Sequence, residues 1–498
     1  MELERGSGIL FHVSSAPSGF GIGDIGPELY RIADQFSEHG QAYWQMLPLN
    51  PTDAVYGHSP YSSPSAFAGN ALLISPQGMY ERGWLEKTDL DQLGPWPEGR
   101  VDYQRASELK GRLLEKAFCR FSPEEDPSYQ EFYDAEKQWL ENYALFMTVK
   151  QLYPGKRWDQ WPGEIKGRDP AALERIRRDQ AEMISKICFQ QYVFSQQWQA
   201  FHDHCRQQGL RLIGDIPIYV NDDSADVWAN PKYFKLNKNL RPEYVAGVPP
   251  DYFSETGQRW GNPVYDWDVL KEDGFSWWMR RLRRQFDLFD IIRVDHFRGF
   301  EAFWEIPADE KTAVNGTWVP GPRDDFFHAV EQAFPGLPII AEDLGTITDE
   351  VTDLMNRFHI PGMKVLQFAF NGDPAEHPYI PENFEESCVV YTGTHDNNTT
   401  RGWYADNATK EEKKNLVRYL GHDPDPDQVA WDLITVSLSS IGCLAVTPLQ
   451  DVLNLGSEAR MNTPATHDQN WSWQLKTGQS LAPGLSRLHD LARDTGRL

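Results

Sequence analysis

Apolar residues recur along this chain at spacings of three and four, in segments that mostly stop at Gly or Pro, and a short unbroken apolar run follows each one. Residues 27–39 place Leu29, Ile32, Ala33 and Phe36 on one helical face, stop at Gly40 and lead into YWQMLPL. Residues 186–208 align Trp198, Phe201 and Cys205, stop at Gly209 and lead into LRLIGDIPIYV. Four more such segments follow: 275–289 before DIIRVDHF, 324–334 before IIAEDLG, 349–359 before MKVLQFAF, and 428–440 before IGCLAVTPL. The 3.6-residue period predicts helices, and the Val/Ile/Leu-rich runs predict strands buried on both faces.

With ILFHV near the start and CVVYTGTHDN further on, eight strands alternate with helices. That pattern predicts an α/β fold, a (β/α)8 barrel, which needs about 250 residues. A doubly wound open sheet shares the alternation, but no G-x-G-x-x-G follows the first strand to mark a nucleotide site. The chain has 498 residues, and the surplus falls in two places. We read 1–498 as one catalytic domain with an insertion at 50–185, between the second strand and the helix before the third. A second insertion, 221–274, follows the third strand.

Composition narrows the partners. Lys plus Arg number 48 against 73 Asp plus Glu, a formal charge of −25. Such a surface repels a nucleic-acid backbone and an anionic membrane, so neither is an expected partner, whereas a neutral substrate feels no repulsion. The opening MELERGSG shows no secretory signal, and no run of 18 apolar residues predicts a membrane span. Five scattered cysteines (Cys119, Cys188, Cys205, Cys388, Cys443) form no CxxC pair, which predicts neither disulfides nor a cysteine zinc site, and a reduced cytosol. A monomer or weak oligomer is expected. Aromatic residues reach 13%, with 18 Trp; most will be core, but rings left in a cleft stack well on sugar faces.

The chemistry gathers where a barrel places its active site, at the C-terminal ends of the strands. Asp215 ends LIGD, Asp295 ends IIRVD, Glu342 and Asp343 follow IIA, and His395 and Asp396 follow VVYTGT. One such acid often caps a helix or pairs with an arginine. Four successive strands ending in acids converge negative charge on one rim, which is costly unless it is used. Oxygen ligands for Mg2+ or Ca2+ are one use, with His296 or His395 joining a transition-metal site. No H-x-x-x-H or H-E-x-x-H spacing occurs, however, and Arg293 lies two residues before Asp295, on the same strand face. An arginine there keeps the acid ionised. We therefore expect no metal and no cofactor, but an ionised Asp295 paired with a protonated Glu342, the division of labour that glycosidic-bond cleavage requires.

GDIPIYV, IIRVDHFRGF, IIAEDLG and YTGTHDNNT resemble the four active-site regions of the α-amylase superfamily. Three further stretches, YGHSPYSSPSAFAGN, GVPPDYFSETGQRWGNPVYDW and ARMNTPATHDQNWSWQL, narrow the resemblance to the amylomaltase, or 4-α-glucanotransferase, family. It spans almost the whole chain in consistent order. One departure is Ala465, in MNTPAT, where the family pattern has glycine.

The resemblance implies Asp295 as nucleophile, Glu342 as general acid/base and Asp396 as the carboxylate gripping the sugar hydroxyls. It further implies that Arg293 holds Asp295, His395 bonds the same glucose, Asp215 supports the site and Tyr61 stacks under the reacting ring. Segment 249–262 mixes Pro, Gly, Tyr252, Phe253 and Trp260 with Asp251 and Glu255. It reads as an acceptor-side lid whose glycines permit movement, and Asn462 as a polar group on the same side. The expected activity is a retaining α-1,4-glucanotransferase, with an α-1,4-glucan donor and a glucose or maltooligosaccharide acceptor. A hydrolase on the same barrel and a non-catalytic glucan-binding protein are the alternatives.

Overall fold

The computed structural model describes residues 3–91, 94–250, 254–336, 338–373, 375–466 and 469–498. Eight strands form one parallel sheet: Gly6–Leu10, Tyr43–Gln45, Arg211–Pro217, Ile291–Asp295, Ile339–Ala341, Gly362–Val365, Cys388–Tyr391 and Leu444–Pro448. Chain neighbours are sheet neighbours, and the first strand pairs with the last through Gly6↔Leu444. At the one remaining seam, Ala341 N–H donates to Pro361 O at 2.9 Å. The sheet is thus nearly closed into a barrel. Each of these eight strands overlaps one of the eight predicted apolar runs, but the first begins three residues before ILFHV and shares only Ile9 and Leu10 with it. Residues such as Trp44, Ile213, Ile292, Ile340, Val389 and Val446 are wholly buried between the interior and the covering helices, which is why these runs lack polar alternation.

Some helices end where Gly or Pro stops them, although Ser276–Leu288 ends at Phe289 with neither. Pro27–Glu38 begins at proline and ends before Gly40, whose φ of +72° suits glycine. The helix before the third strand is longer than the periodicity predicts, Ala181–Gln207. No helix among the described residues is long and apolar enough to cross a membrane.

Segment 50–185 is helical, and Tyr103–Phe118 anchors it to the barrel through a buried Lys110–Asp24 ion pair at 3.0 Å. Lys110 also donates to Leu72 O and Ile74 O, so all three ammonium protons are used. Segment 221–274 carries two strands of a four-stranded antiparallel sheet, ordered Gln258–Pro263, Tyr244–Val248, Ala302–Pro307, Thr317–Pro320. The last two follow the fourth barrel strand, where our reading placed none; they are short and carry too little alternation to be seen. Part of the expected lid is therefore a strand. Gly257 there takes φ +65°, and a Cβ would lie 2.4 Å from Val248 O. Its glycine serves a fixed turn rather than a hinge.

Candidate active site

Register builds the centre of the cleft. The third and fourth barrel strands pair Asp215↔Arg293 and Pro217↔Asp295, so an acid and an arginine arrive side by side. Arg293 Nη1 donates to both oxygens of Asp215 at 2.7 Å, and its Nη2 lies 3.0 Å from Asp295 Oδ1. Its remaining Nε–H meets Met363 Sδ at 3.2 Å. Asp215 is fully buried, and Tyr61 Oη donates to its other side at 2.7 Å. One guanidinium thus serves two carboxylates, and the wholly buried one takes the bidentate contact.

Asp295 stands at the base of the cleft with about a third of its side chain still reached by solvent. The surrounding protein removes enough hydration to raise its pKa to about 6, against the opposing pull of Arg293. Asp215 and Asp396 push in the same direction as burial. Glu342 is raised further, to about 8, first by burial and then by the charge of Asp295. At neutral pH the shared proton therefore belongs to Glu342 and the charge to Asp295.

Glu342 is also held from outside its own strand. Its Oε2 accepts from His296 N–H at 2.7 Å and its Oε1 from Leu344 N–H at 2.8 Å. His296, directly after the Asp295 strand, has φ +55° and ψ +51°. This left-handed geometry is uncommon for a side-chain-bearing residue. It turns the amide of one acid's neighbour onto the other acid. Sequence reading missed this contact, because a backbone donor leaves no residue signature.

Asp396 sits across the mouth, nearly half exposed. Asn462 Nδ2 donates to its Oδ1 at 2.6 Å, and Arg460 Nη2 binds its backbone oxygen at 2.8 Å. His395 Nε2 is 3.5 Å from the same Oδ1. Asn462, expected on the acceptor side, is thus bonded to Asp396. Tyr61 stacks on His395 with ring centres 5.1 Å apart, and Trp471 tilts against both. Trp471 was not singled out, although it lies in a quoted motif. Ala465 has φ +62°, so the family's glycine sits where an L side chain is strained.

Trp260 lies on the strand Gln258–Pro263, more than a third exposed, edge-on to His296 at 4.7 Å. Asn262 ties that strand to the third barrel strand's end by a bond to Val220 O. Glu255 is exposed in the turn before it, with no hydrogen bond or ion pair among the described residues. Asp251, with Tyr252 and Phe253, lies outside the described residues. Among those described, no group of three or more His, Cys, Asp or Glu side chains is placed to hold a metal ion.

A family model described as 4-alpha-glucanotransferase matches residues 11–480. The chain belongs to the 4-α-glucanotransferase family. It is 47% identical to the 4-alpha-glucanotransferase of Thermus thermophilus, with both chains covered in full. It is 43% identical to the chloroplastic/amyloplastic enzyme of Solanum tuberosum, covering 99% of this chain and 87% of that one. Among solved structures, amylomaltase from Streptococcus agalactiae in complex with acarbose superposes with a TM-score of 0.94 at 35% identity, covering 99% and 100%. The barrel, the enzyme class and the transferase reading all stand on this full-length match.

Proposed function

We propose that the cleft breaks an α-1,4 bond by two displacements at one anomeric carbon. The Asp295 carboxylate attacks that carbon while Glu342 gives its proton to the departing glycosidic oxygen, leaving a glucosyl ester on Asp295. Glu342, now ionised, removes the proton from an acceptor 4-hydroxyl. That oxygen displaces Asp295, so the α configuration and both starting protonation states return. Asp396 binds hydroxyls of the reacting glucose and supports its developing charge, with His395 beside it. Tyr61 lies under the ring, and Trp260 receives the incoming sugar and shields the ester from water. Segments 50–185 and 221–274 serve as insertions that shape the cleft, in a cytosolic monomer or weak oligomer needing no cofactor.

What carries this reading is the setting of the two acids: Arg293 Nη2 lies 3.0 Å from Asp295 Oδ1, the N–H groups of His296 and Leu344 hold Glu342, and burial together with the Asp295 charge raises Glu342 above Asp295. An acid pair so divided is what double displacement needs. Maltotriose supplies the test. Transfer yields glucose and longer maltooligosaccharides while total reducing ends stay constant. A rise of one reducing end per bond broken, with no longer chains, overturns transfer in favour of hydrolysis.

A further inference from the structure

Asp451 is a buried carboxylate that takes no part in the displacement steps proposed above. It lies in the short helix Leu449–Val452, directly after the eighth barrel strand, and is 1% exposed. Burial raises its pKa, and among the described residues no Lys, Arg or His forms an ion pair with it. Buried charges are normally paired. Its partners are instead the two ends of one loop. Thr392 Oγ1 and Thr400 Oγ1 each donate to Oδ2 at 2.6 Å, and Thr400 N–H donates to Oδ1 at 2.7 Å. Both threonines are wholly buried. Between them run residues 393–399, which carry His395 and Asp396. Gln367, just beyond the sixth barrel strand, joins the same junction: its Nε2 donates to Asn398 O at 3.0 Å and to Thr400 Oγ1 at 3.4 Å. The chain continues from Asp451 to Arg460 and Asn462, which hold Asp396 itself.

We propose that Asp451 is a positioning residue for Asp396: it closes the stem of the loop and so fixes where the Asp396 carboxylate meets the sugar. Three donors converge on Asp451, which favours its ionised form, an acceptor only. Both threonine hydroxyls must then point into it, and neither can rotate away. A buried polar network with every member satisfied is rigid. Asp396 needs that rigidity, because it is nearly half exposed and takes only one side-chain hydrogen bond, from Asn462. Its direction therefore depends on the backbone beneath it, and misplacing such a group by about 1 Å can cost about 10²-fold in rate. A loop tied only for stability could be bridged by a neutral side chain, without the cost of burying a charge. This role for Asp451 rests on the part given to Asp396 above.

Glucose release from maltotriose, measured for Asp451→Ala, Asp451→Asn, Asp396→Asn and the chain combining Asp451→Ala with Asp396→Asn, tests this. Asp451→Ala should lower kcat about 10²-fold while KM stays within about threefold. Asp451→Asn, which keeps an acceptor for Thr400 N–H, should recover about tenfold of that loss. Once Asp396 is replaced its carboxylate is no longer there to be positioned, so Asp451→Ala should then cost less than about threefold more. Melting curves identify any variant that has lost its fold. If Asp451→Ala unfolds, Thr392→Val, which removes one hydroxyl from the junction, takes its place in the cycle with an expected fall of about tenfold in kcat. A loss that multiplies in full with that of Asp396→Asn, a loss confined to KM, or an unchanged kcat overturns the positioning role and leaves the transferase reading standing. If Asp396→Asn by itself keeps the full kcat, the part given to Asp396 falls, and the positioning role falls with it.

Discussion

Asp295 takes its contact from Arg293 on its own barrel strand, and Glu342 from the turns directly after its own strand and the neighbouring one, whereas Asp396, across the mouth, is gripped by a loop beyond residue 460. The first pair sits where protein mass strips hydration, and both acids are raised, to about 6 and about 8. Asp396 is nearly half exposed and is oriented by an amide, Asn462, and by the backbone contact of Arg460. One side of the cleft partitions a proton, which needs a rigid low-dielectric setting. The other positions a charge against sugar hydroxyls, which needs direction more than desolvation.

Substitutions should separate the two sides, beginning with the largest effect. Asp295→Asn removes the atom that bonds to the sugar and should cost on the order of 10⁴-fold or more in transfer, the scale of losing a nucleophile that acts within a unit. Glucose release from maltotriose measures it, and a loss under tenfold would break the pairing with Glu342. Glu342→Gln should cost about 10²–10⁴-fold and reshape the pH profile. In the unmodified enzyme, protonation of Asp295 ends attack below about pH 6, and deprotonation of Glu342 ends acid catalysis above about pH 8. kcat/KM should therefore be bell-shaped between those limits, and the glutamine variant should lose the alkaline limb. If that limb persists, another group supplies the proton.

On the opposite side, Asn462→Ala deletes a hydrogen bond to a charged group, an interaction of about 1.5–3 kcal/mol. Water reaches the half-exposed Asp396 and replaces part of it. We expect kcat to fall about tenfold, the low end of that range, with both pH limbs unmoved. A shifted limb would mean that the loop also governs the proton pair, and the contrast between the sides would collapse. Trp260→Ala should have the smallest effect, about two- to tenfold on transfer, the scale of an aromatic contact. Its mark is selectivity: the reducing-end count should rise with each turnover as water replaces the sugar acceptor. An unchanged count would remove Trp260 from the acceptor path.

Much of this was legible in the residues themselves. Eight buried runs, six of them preceded by a 3.6-period segment, marked the barrel strands, because a strand covered on both faces cannot hide its apolarity. The offset of two between Arg293 and Asp295 put both on one strand face by geometry alone, and the ion pair at 3.0 Å follows from it. Gly257, read from the sequence as part of a movable lid, turned out to serve a fixed turn, and the left-handed backbone at Ala465 was likewise seen only in the structure. Chain-wide information stopped there. That Arg293 divides itself between Asp295 and Asp215, that His296 lends its amide to Glu342, and that Asn462 binds Asp396 were decided by the tertiary structure. So was the antiparallel sheet that joins segment 221–274 to the strands after Asp295 and sets Trp260 against His296. The physical reason is the same in each case. Local pattern specifies which face a residue occupies, but pKa values and hydrogen-bond partners depend on which distant faces meet, and on how little water remains between them.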